Sequence, residues 1–246
     1  MKKVCWFSAG VSSFIAGWLA GDVDEWIYIE LPDQHIDSER FRKDCEKFIG
    51  KPITVITAGK DVADVVRKRR FLNSPYGAAC TGVLKKEVRE AWEKTQDNEL
   101  TYVWGFDCDE KHRMDRIMET DTAHHHECPL IDNGLTKADC HGILKYLGIK
   151  RPEFYDLGFP NNNCIGCLKA GMGTWNLVRK HFPDIFNERA KLEREIGHSC
   201  LRKYFLDELP EDAGRIPKPI SEVLTIQGMI SINKMLEIQG EKNGKM

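Results

Sequence analysis

The sequence predicts an α/β fold: a mostly parallel sheet with helices on both faces, followed by a helical C-terminal extension. Three observations carry this. Short apolar runs of strand length alternate with amphipathic runs of helix length in the first half of the chain, the order that builds parallel βαβ units. The first run, Lys3 to Phe7, alternates too little for a half-exposed strand and suits a central strand buried on both faces. It leads straight into a turn of small residues, Ser8-Ala9-Gly10-Val11-Ser12-Ser13, that opens a helix. With 246 residues the chain can build one large domain with a small appendage. We divide it into a body over residues 1–210 and a tail over 211–246 carrying one helix.

The elements follow in order. Ser12 to Leu19 reads as the first helix, and Glu25 to Leu31 as a second strand left through Pro32-Asp33-Gln34-His35. Asp37 begins an amphipathic helix that stops near Gly50, a residue suited to the C-terminal turn. Ile53 to Thr57 is a third strand, and Asp61 to Arg70 a helix ending in four consecutive basic residues. Val83 to Trp92 is helical and Leu100 to Phe106 a further strand. Thr136 and Asp139 approximate a capping box for a helix running to Gly148. Helices are expected over Thr174 to Phe182 and Phe186 to Ile196. Pro217 and Pro219 then separate the core from a final helix at about Ser221 to Gln239.

A net charge of −2 with 30% charged residues describes neither a nucleic-acid coat nor a polybasic membrane binder. A local basic patch stays open at Arg67-Lys68-Arg69-Arg70, either as a grip for phosphates or as the solvated end of a helix. No apolar run reaches the roughly 18 residues of a membrane span. The start resembles a signal peptide only briefly before Gly10, Ser12 and Ser13 interrupt it, so a cytoplasmic protein is expected. Nine cysteines, an odd number, argue against a disulfide framework. Cys5, Cys45 and Cys140 read as small buried hydrophobes.

Topology gathers the chemistry. In a parallel sheet, ligands bind at the carboxyl ends of the strands, where the Ser8–Ser13 turn, the Asp33 loop and the Gly105-Phe106-Asp107 loop all arrive. Free N–H groups at a helix start favour an anion, and small side chains let phosphate approach. The alternative is an ordinary strand–helix turn. Farther on, Cys164-Ile165-Gly166-Cys167 sets two sulfur ligands on one tight loop, with Cys80 and Cys200 as distant candidates to complete a site. An iron–sulfur cluster, a structural zinc and a reduced, metal-free thiol pair are all compatible with that set. Lesser candidates are His124-His125-His126 with Glu127 and Cys128, read either as metal ligands or as an exposed loop before a strand. Asp107, Asp109 and Glu110 could hold magnesium or act as a base, or simply solvate a loop. Trp175 reads as a packing residue.

Several segments together resemble the phosphoadenosine phosphosulfate (PAPS) reductase family of the PP-loop, or adenine nucleotide alpha-hydrolase-like, enzymes. The Ser8–Ser13 turn is similar to the S-G-G-x-D-S loop. Cys80-Thr81 with Leu84-Lys85 is similar to C-T-x-x-L-K. Gly105-Phe106 with Asp109-Glu110 and Arg113, and Pro129-Leu130 with Thr136 and Asp139, resemble later family segments. Phe154-Tyr155-Asp156-Leu157-Gly158-Phe159 followed by Cys164-Ile165-Gly166-Cys167 resembles L-Y-x-x-G-Y…G-C-x-x-C. The matches keep their order over about residues 4–170, and most resemble the PAPS-reductase-like proteins of phages and prophages.

The resemblance implies a Rossmann-like, adenine nucleotide alpha-hydrolase-like fold with ATP or another adenine nucleotide bound at residues Ser8, Ala9, Gly10, Val11, Ser12 and Ser13. Asp33 would lie near the ribose or adenine, and Gly105 and Arg113 would meet the nucleotide, with magnesium as a further candidate. It implies a [4Fe–4S] cluster on Cys80, Cys164 and Cys167, with Cys200 as fourth ligand or one iron open to sulfide, and zinc as the alternative. The expected activity is nucleotide-dependent activation followed by sulfur transfer to a nucleic acid or a small metabolite, with no membrane partner and a homo-oligomer left open. Two departures stand out. Ala9 and Ser12 replace the family's first glycine and its aspartate, and the C-terminal E-C-G-[IL]-H segment of true sulfonucleotide reductases is missing. That leaves a PAPS or adenylylsulfate reductase, and a non-catalytic nucleotide-binding module with structural zinc, as alternatives.

Overall fold

The computed structural model describes residues 1–243; the last three residues of the expected tail lie outside them. Five strands form the central sheet: β1 (Lys2–Phe7), β2 (Glu25–Glu30), β3 (Ile53–Thr57), β6 (Leu100–Val103) and β7 (His125–Glu127). All pairs are parallel and the order is β3-β2-β1-β6-β7. β1 is central, with Cys5 opposite Trp26 on one side and Val103 on the other. The chain therefore adds strands outward in one direction and then returns to build the other side. That reversal at β1 opens a crevice at its carboxyl end. The topology is compatible with Rossmann-like and adenine nucleotide alpha-hydrolase-like folds.

The connecting helices are α1 (Val11–Ala20), α2 (Asp37–Ile49) and α3 (Val62–Arg69). After α3 comes a small antiparallel hairpin, β4 (Asn73–Ser74) and β5 (Gly77–Ala78). It runs into α4 (Ala79–Thr81), a π-helical turn over Gly82–Lys86, and α5 (Glu87–Glu93). The remaining helices are α6 (Lys111–Thr120), α7 (Pro129–Asp132), α8 (Lys137–Tyr146), α9 (Glu153–Asp156), α10 (Met172–His181), α11 (Pro183–Ile196) and α12 (Ile226–Asn243). The helix expected from Val83 begins four residues earlier, and the expected final helix begins later, at Ile226. Thr225 sets that later start: its hydroxyl accepts the Gly228 N–H at 3.2 Å and bonds the carboxylate of Asp139.

Alternation along β1 explains why both sheet faces are covered. Cys5 and Phe7 join a core with Phe14, Trp26, Phe41, Leu130 and Cys140, closed by Ile232 and Met235 of α12. Val4 and Trp6 face the other way, against Ile27, Tyr102 and Trp92. Burying these large side chains on both faces supplies most of the stabilisation, at about 1.5–3 kcal/mol each. A separate core around Trp175, Phe186 and Leu206 holds α10 and α11 together; Trp175 is fully buried there. Thr136 and Asp139 form the reciprocal capping box of α8, and Gly50 ends α2 in a left-handed turn. No helix among the described residues is long and apolar enough to cross a membrane.

The three histidines divide: His124 lies in the bend before the strand, as expected, whereas His125 and His126 belong to the strand itself. His125–Glu127 is the fifth strand, and His126 is buried at 3% side-chain exposure. Its ring accepts from Trp104 Nε1 at 3.1 Å, and its other nitrogen meets the Asp121 carbonyl at 3.0 Å.

Candidate functional site

A cavity of about 340 Å³ opens at the carboxyl end of β1. Its floor is the turn that joins β1 to α1. Ser8, Gly10, Ser12 and Ser13 line it, while Ala9 and Val11 are fully buried in the core. The turn is closed by its own hydroxyls. Ser13 Oγ donates to the Gly10 carbonyl at 2.9 Å and accepts the Ser8 N–H at 3.0 Å, with Ser8 Oγ also 3.0 Å away. Ala9 adopts φ +56°, one of two non-glycine residues with positive φ among the described residues. Glycine adopts this conformation without strain.

Gly10 is the N-cap of α1 and brings no side-chain cap; the Val11 N–H goes to Tyr155, which leaves the Ser12 N–H at the cavity floor for a ligand. Two distant residues shape this end. Tyr155 Oη accepts the Val11 N–H at 3.4 Å, and Asn162 Nδ2 donates to the Ala9 carbonyl at 2.6 Å and to Ser38 Oγ at 3.0 Å. Gly105, just beyond β6, passes directly over the same turn.

Positive charge surrounds this floor. Lys85 and Lys86 from the π-helical turn, Arg89 from α5, Arg113 from α6 and Lys137 from α8 all line the cavity. Arg113 is bound to Glu110 and lies over the Phe106 ring, 4.4 Å from its centroid. Lys137 reaches Asn161 Oδ1 at 2.8 Å. Trp6, Trp104 and Phe106 supply an aromatic wall, with Trp104 and Phe106 stacked at 5.8 Å. Such a set suits a planar group joined to phosphates.

Asp33 does not line this cavity. Its carboxylate is bound by the Arg189 guanidinium of α11 and by the Val62 N–H at 2.9 Å. Burial pushes the Asp33 carboxyl above its ordinary range, against the opposing pull of Arg189. The next residue, Gln34, lines the cavity instead. Of the three expected acids, only Glu110 lines it; Asp107 is buried and caps the turn at Cys108–Glu110 by accepting the Asp109 N–H at 3.1 Å.

The cysteine loop stands beside the cavity. A backbone bridge joins Gln34 to Cys164, and the Ile165 N–H donates to the Asp33 carbonyl at 2.7 Å. A second cavity, of about 230 Å³, is lined by Cys164, Cys167, Lys169 and Thr174. Asn161 and Asn163 form a wall common to both cavities. Burial pushes the Cys164 thiol up to about 12; Lys85 opposes this, while Cys167, Asp33 and Cys80 add to it. Cys80 is raised by burial and by Cys167, with Lys169 and Lys85 pulling it down.

Cys200 is placed differently. It is buried against Glu193, and burial together with that carboxylate raises its thiol strongly. Glu193 is itself fully buried and accepts the Cys200 N–H at 2.6 Å and the Leu206 N–H at 2.7 Å. The donor chemistry of Cys80, Cys164 and Cys167 matches a thiophilic metal. Even so, among the described residues no three His, Cys, Asp or Glu side chains are grouped closely enough to hold an ion.

Compared with known proteins, the chain matches no family model, no curated protein and no solved structure. Lys85, Lys86, Arg89, Trp104, Lys137, Tyr155 and Asn162 were not singled out as ligand-facing by sequence reasoning, although they build most of the cavity. The four-residue spacing of Lys85 and Arg89 on one helix was the available signal.

Proposed function

We propose that this chain is an adenine-nucleotide-dependent enzyme of the PAPS-reductase-like kind, which activates a substrate and delivers sulfur to it beside the Cys164–Cys167 loop. The observation that carries the reading is the cavity itself. An uncapped helix start, a turn of small residues and five cationic side chains converge on one space of nucleotide size. Phosphate oxygens would take the Ser12 N–H of α1, with Lys85, Arg89, Arg113 and Lys137 balancing their charge. Trp104 and Phe106 offer a planar surface to the base.

Activation would be attack of a substrate oxygen on the α-phosphorus of ATP, with pyrophosphate leaving. A sulfur nucleophile would then displace AMP. Lys85 supports the pairing of these steps, since it lines the cavity and its charge acts on Cys80 and Cys164. A [4Fe–4S] cluster on Cys80, Cys164 and Cys167 is what the resemblance implies; their thiols would have to draw closer than they stand here to hold it, and it would then supply a place for sulfide. Cys200, turned toward Glu193, is the weaker candidate for a fourth ligand.

A second reading, a non-catalytic nucleotide-binding module with structural zinc, draws on Ser12, which offers no carboxylate where related loops have one. One experiment separates the two: anaerobic purification with iron, sulfide and zinc quantified, a visible spectrum, and calorimetric titration with ATP and AMP, repeated for Cys164→Ala. ATP binding with about four irons per chain, lost in the variant, is expected. ATP binding with one tightly held zinc and no iron would leave only the module. No adenine nucleotide binding would sink both.

A further inference from the structure

We propose a second binding surface, for single-stranded nucleic acid, running from the end of α3 across the β4–β5 hairpin to the mouth of the cavity. It goes beyond the nucleotide reading and does not depend on sulfur chemistry. The basic run at the end of α3 divides in two. Arg67 is taken by Glu195 at 3.0 Å and Arg69 by Glu87 at 3.3 Å. Lys68 and Arg70 are exposed and, among the described residues, make no ion pair. Lys85 and Lys86 are likewise exposed and unpaired, and they line the cavity. The Arg69–Glu87 pair fastens the end of α3 beside the residue that follows Lys86. The pair therefore ties the segment that carries Lys68 and Arg70 to the one that carries Lys85 and Lys86.

Two exposed aromatic side chains lie on the segment that links the end of α3 to α4. Tyr76, at the hairpin tip, is 100% exposed, and Phe71, between α3 and the hairpin, is 38% exposed. A tyrosine without any covering contact contributes nothing to the core, yet its ring face is free to stack. Unpaired cations with aromatic faces between them match a phosphate backbone whose bases are unstacked. A duplex keeps its bases inside and leaves Tyr76 without a partner. An anionic membrane would also engage the lysines and would take an exposed tyrosine at its headgroup level, so vesicles are the competitor that tests that alternative.

The test is fluorescence anisotropy of short labelled oligothymidylate and oligouridylate with the full chain over a series of KCl concentrations. Duplex DNA and phosphatidylglycerol vesicles serve as competitors. Single strands of either sugar should bind in preference to both competitors, with affinity falling as salt rises. Tyr76→Ala should weaken binding by roughly five- to 150-fold, the loss of one base–aromatic stack, at an unchanged salt slope. Lys68→Gln with Arg70→Asn should make the log–log slope shallower by about 1.4, near 0.7 per phosphate contact. Far-UV circular dichroism and urea midpoints close to wild type show that each variant folds. No oligonucleotide binding at low salt, indifference to Tyr76→Ala, or preference for duplex or vesicles would each overturn the proposal. An ATP titration on the same protein distinguishes its failure from failure of the nucleotide reading.

Discussion

Gly105 lies against the backbone of Ser13 with no room for a side chain: a Cβ there would sit 2.5 Å from the Ser13 Cα and 2.6 Å from its nitrogen. The chain just beyond β6 thus rests on the first turn of α1, and the turn on the cavity floor is held from above as well as by its own hydroxyls. Gly105→Ala must push β6 and α1 apart. We expect a loss of about 1–3 kcal/mol, the usual cost of overpacking, read as a lowered urea midpoint, together with weakened ATP binding by calorimetry. A wild-type midpoint would mean that the turn yields freely.

Ala9 is held at φ +56°, a conformation that costs an L-residue about 1–2 kcal/mol. Ala9→Gly should relieve that strain, offset in part by the greater freedom of glycine in the unfolded chain. The expected net gain is about 0.5–1 kcal/mol, seen as a higher thermal midpoint. Ala9→Val should lower it.

Arg189 is 3% exposed and holds a carboxylate that is 9% exposed. Removing one partner of such a pair strands the other in a poorly solvated site, at a cost of about 3–5 kcal/mol. Arg189→Ala should therefore be far more damaging than Arg194→Ala on the same helix, whose exposed pairs with Asp207 and Glu208 contribute about 1 kcal/mol or less. Chemical denaturation of the two variants side by side measures the difference.

His141 is 1% exposed and packs edge-on against Tyr155 at 4.5 Å. Burial, with Arg151 and Lys137 nearby, lowers its pKa to about 3. An unfolded histidine titrates near 6.5, so between those values the unfolded chain binds the extra proton and stability rises with pH. The contribution is complete above about pH 6.5 and is lost on acidification toward pH 3. His141→Phe should flatten the stability profile across that window, and denaturation midpoints at several pH values would show it.

Cys200 and Cys164 should behave differently on substitution. The thiol of Cys200 faces Glu193, so Cys200→Ala should leave the metal content unchanged and cost about 1 kcal/mol of packing. On the proposed reading, Cys164→Ala, Cys80→Ala and Cys167→Ala should each abolish whatever iron or zinc copurifies with the wild-type protein. Metal loss in Cys200→Ala equal to that in the other three would place it among the ligands.

Much of the fold was legible because it rests on local signals. The apolar runs gave β1, β2 and β3 within a residue, and Gly50 and the Thr136–Asp139 pair marked helix ends where the structure has them. The edge strand β7 was not legible, because three polar residues carry no apolar pattern, and their pairing with β6 and the bonds of the His126 ring come from elsewhere in the chain. Asp33 shows the deeper limit. Its arrival at the carboxyl edge follows from topology, but its capture by Arg189 depends on a residue far along the chain. The cavity's charge escaped notice for a related reason. Lysines and arginines on separate helices look like solvated surface until tertiary packing turns them onto one space.

The π-helical turn at Gly82–Lys86 has a bearing on ancestry and on engineering. Such a turn is the mark of a single residue inserted into an α-helix. Deleting one residue there would restore regular winding while rotating everything before it by about 100° relative to α5. Cys80 would then swing away from the Cys164–Cys167 loop while Arg89 kept its place. One codon gained or lost in this turn is thus enough to bring Cys80 to the Cys164–Cys167 loop or to take it away.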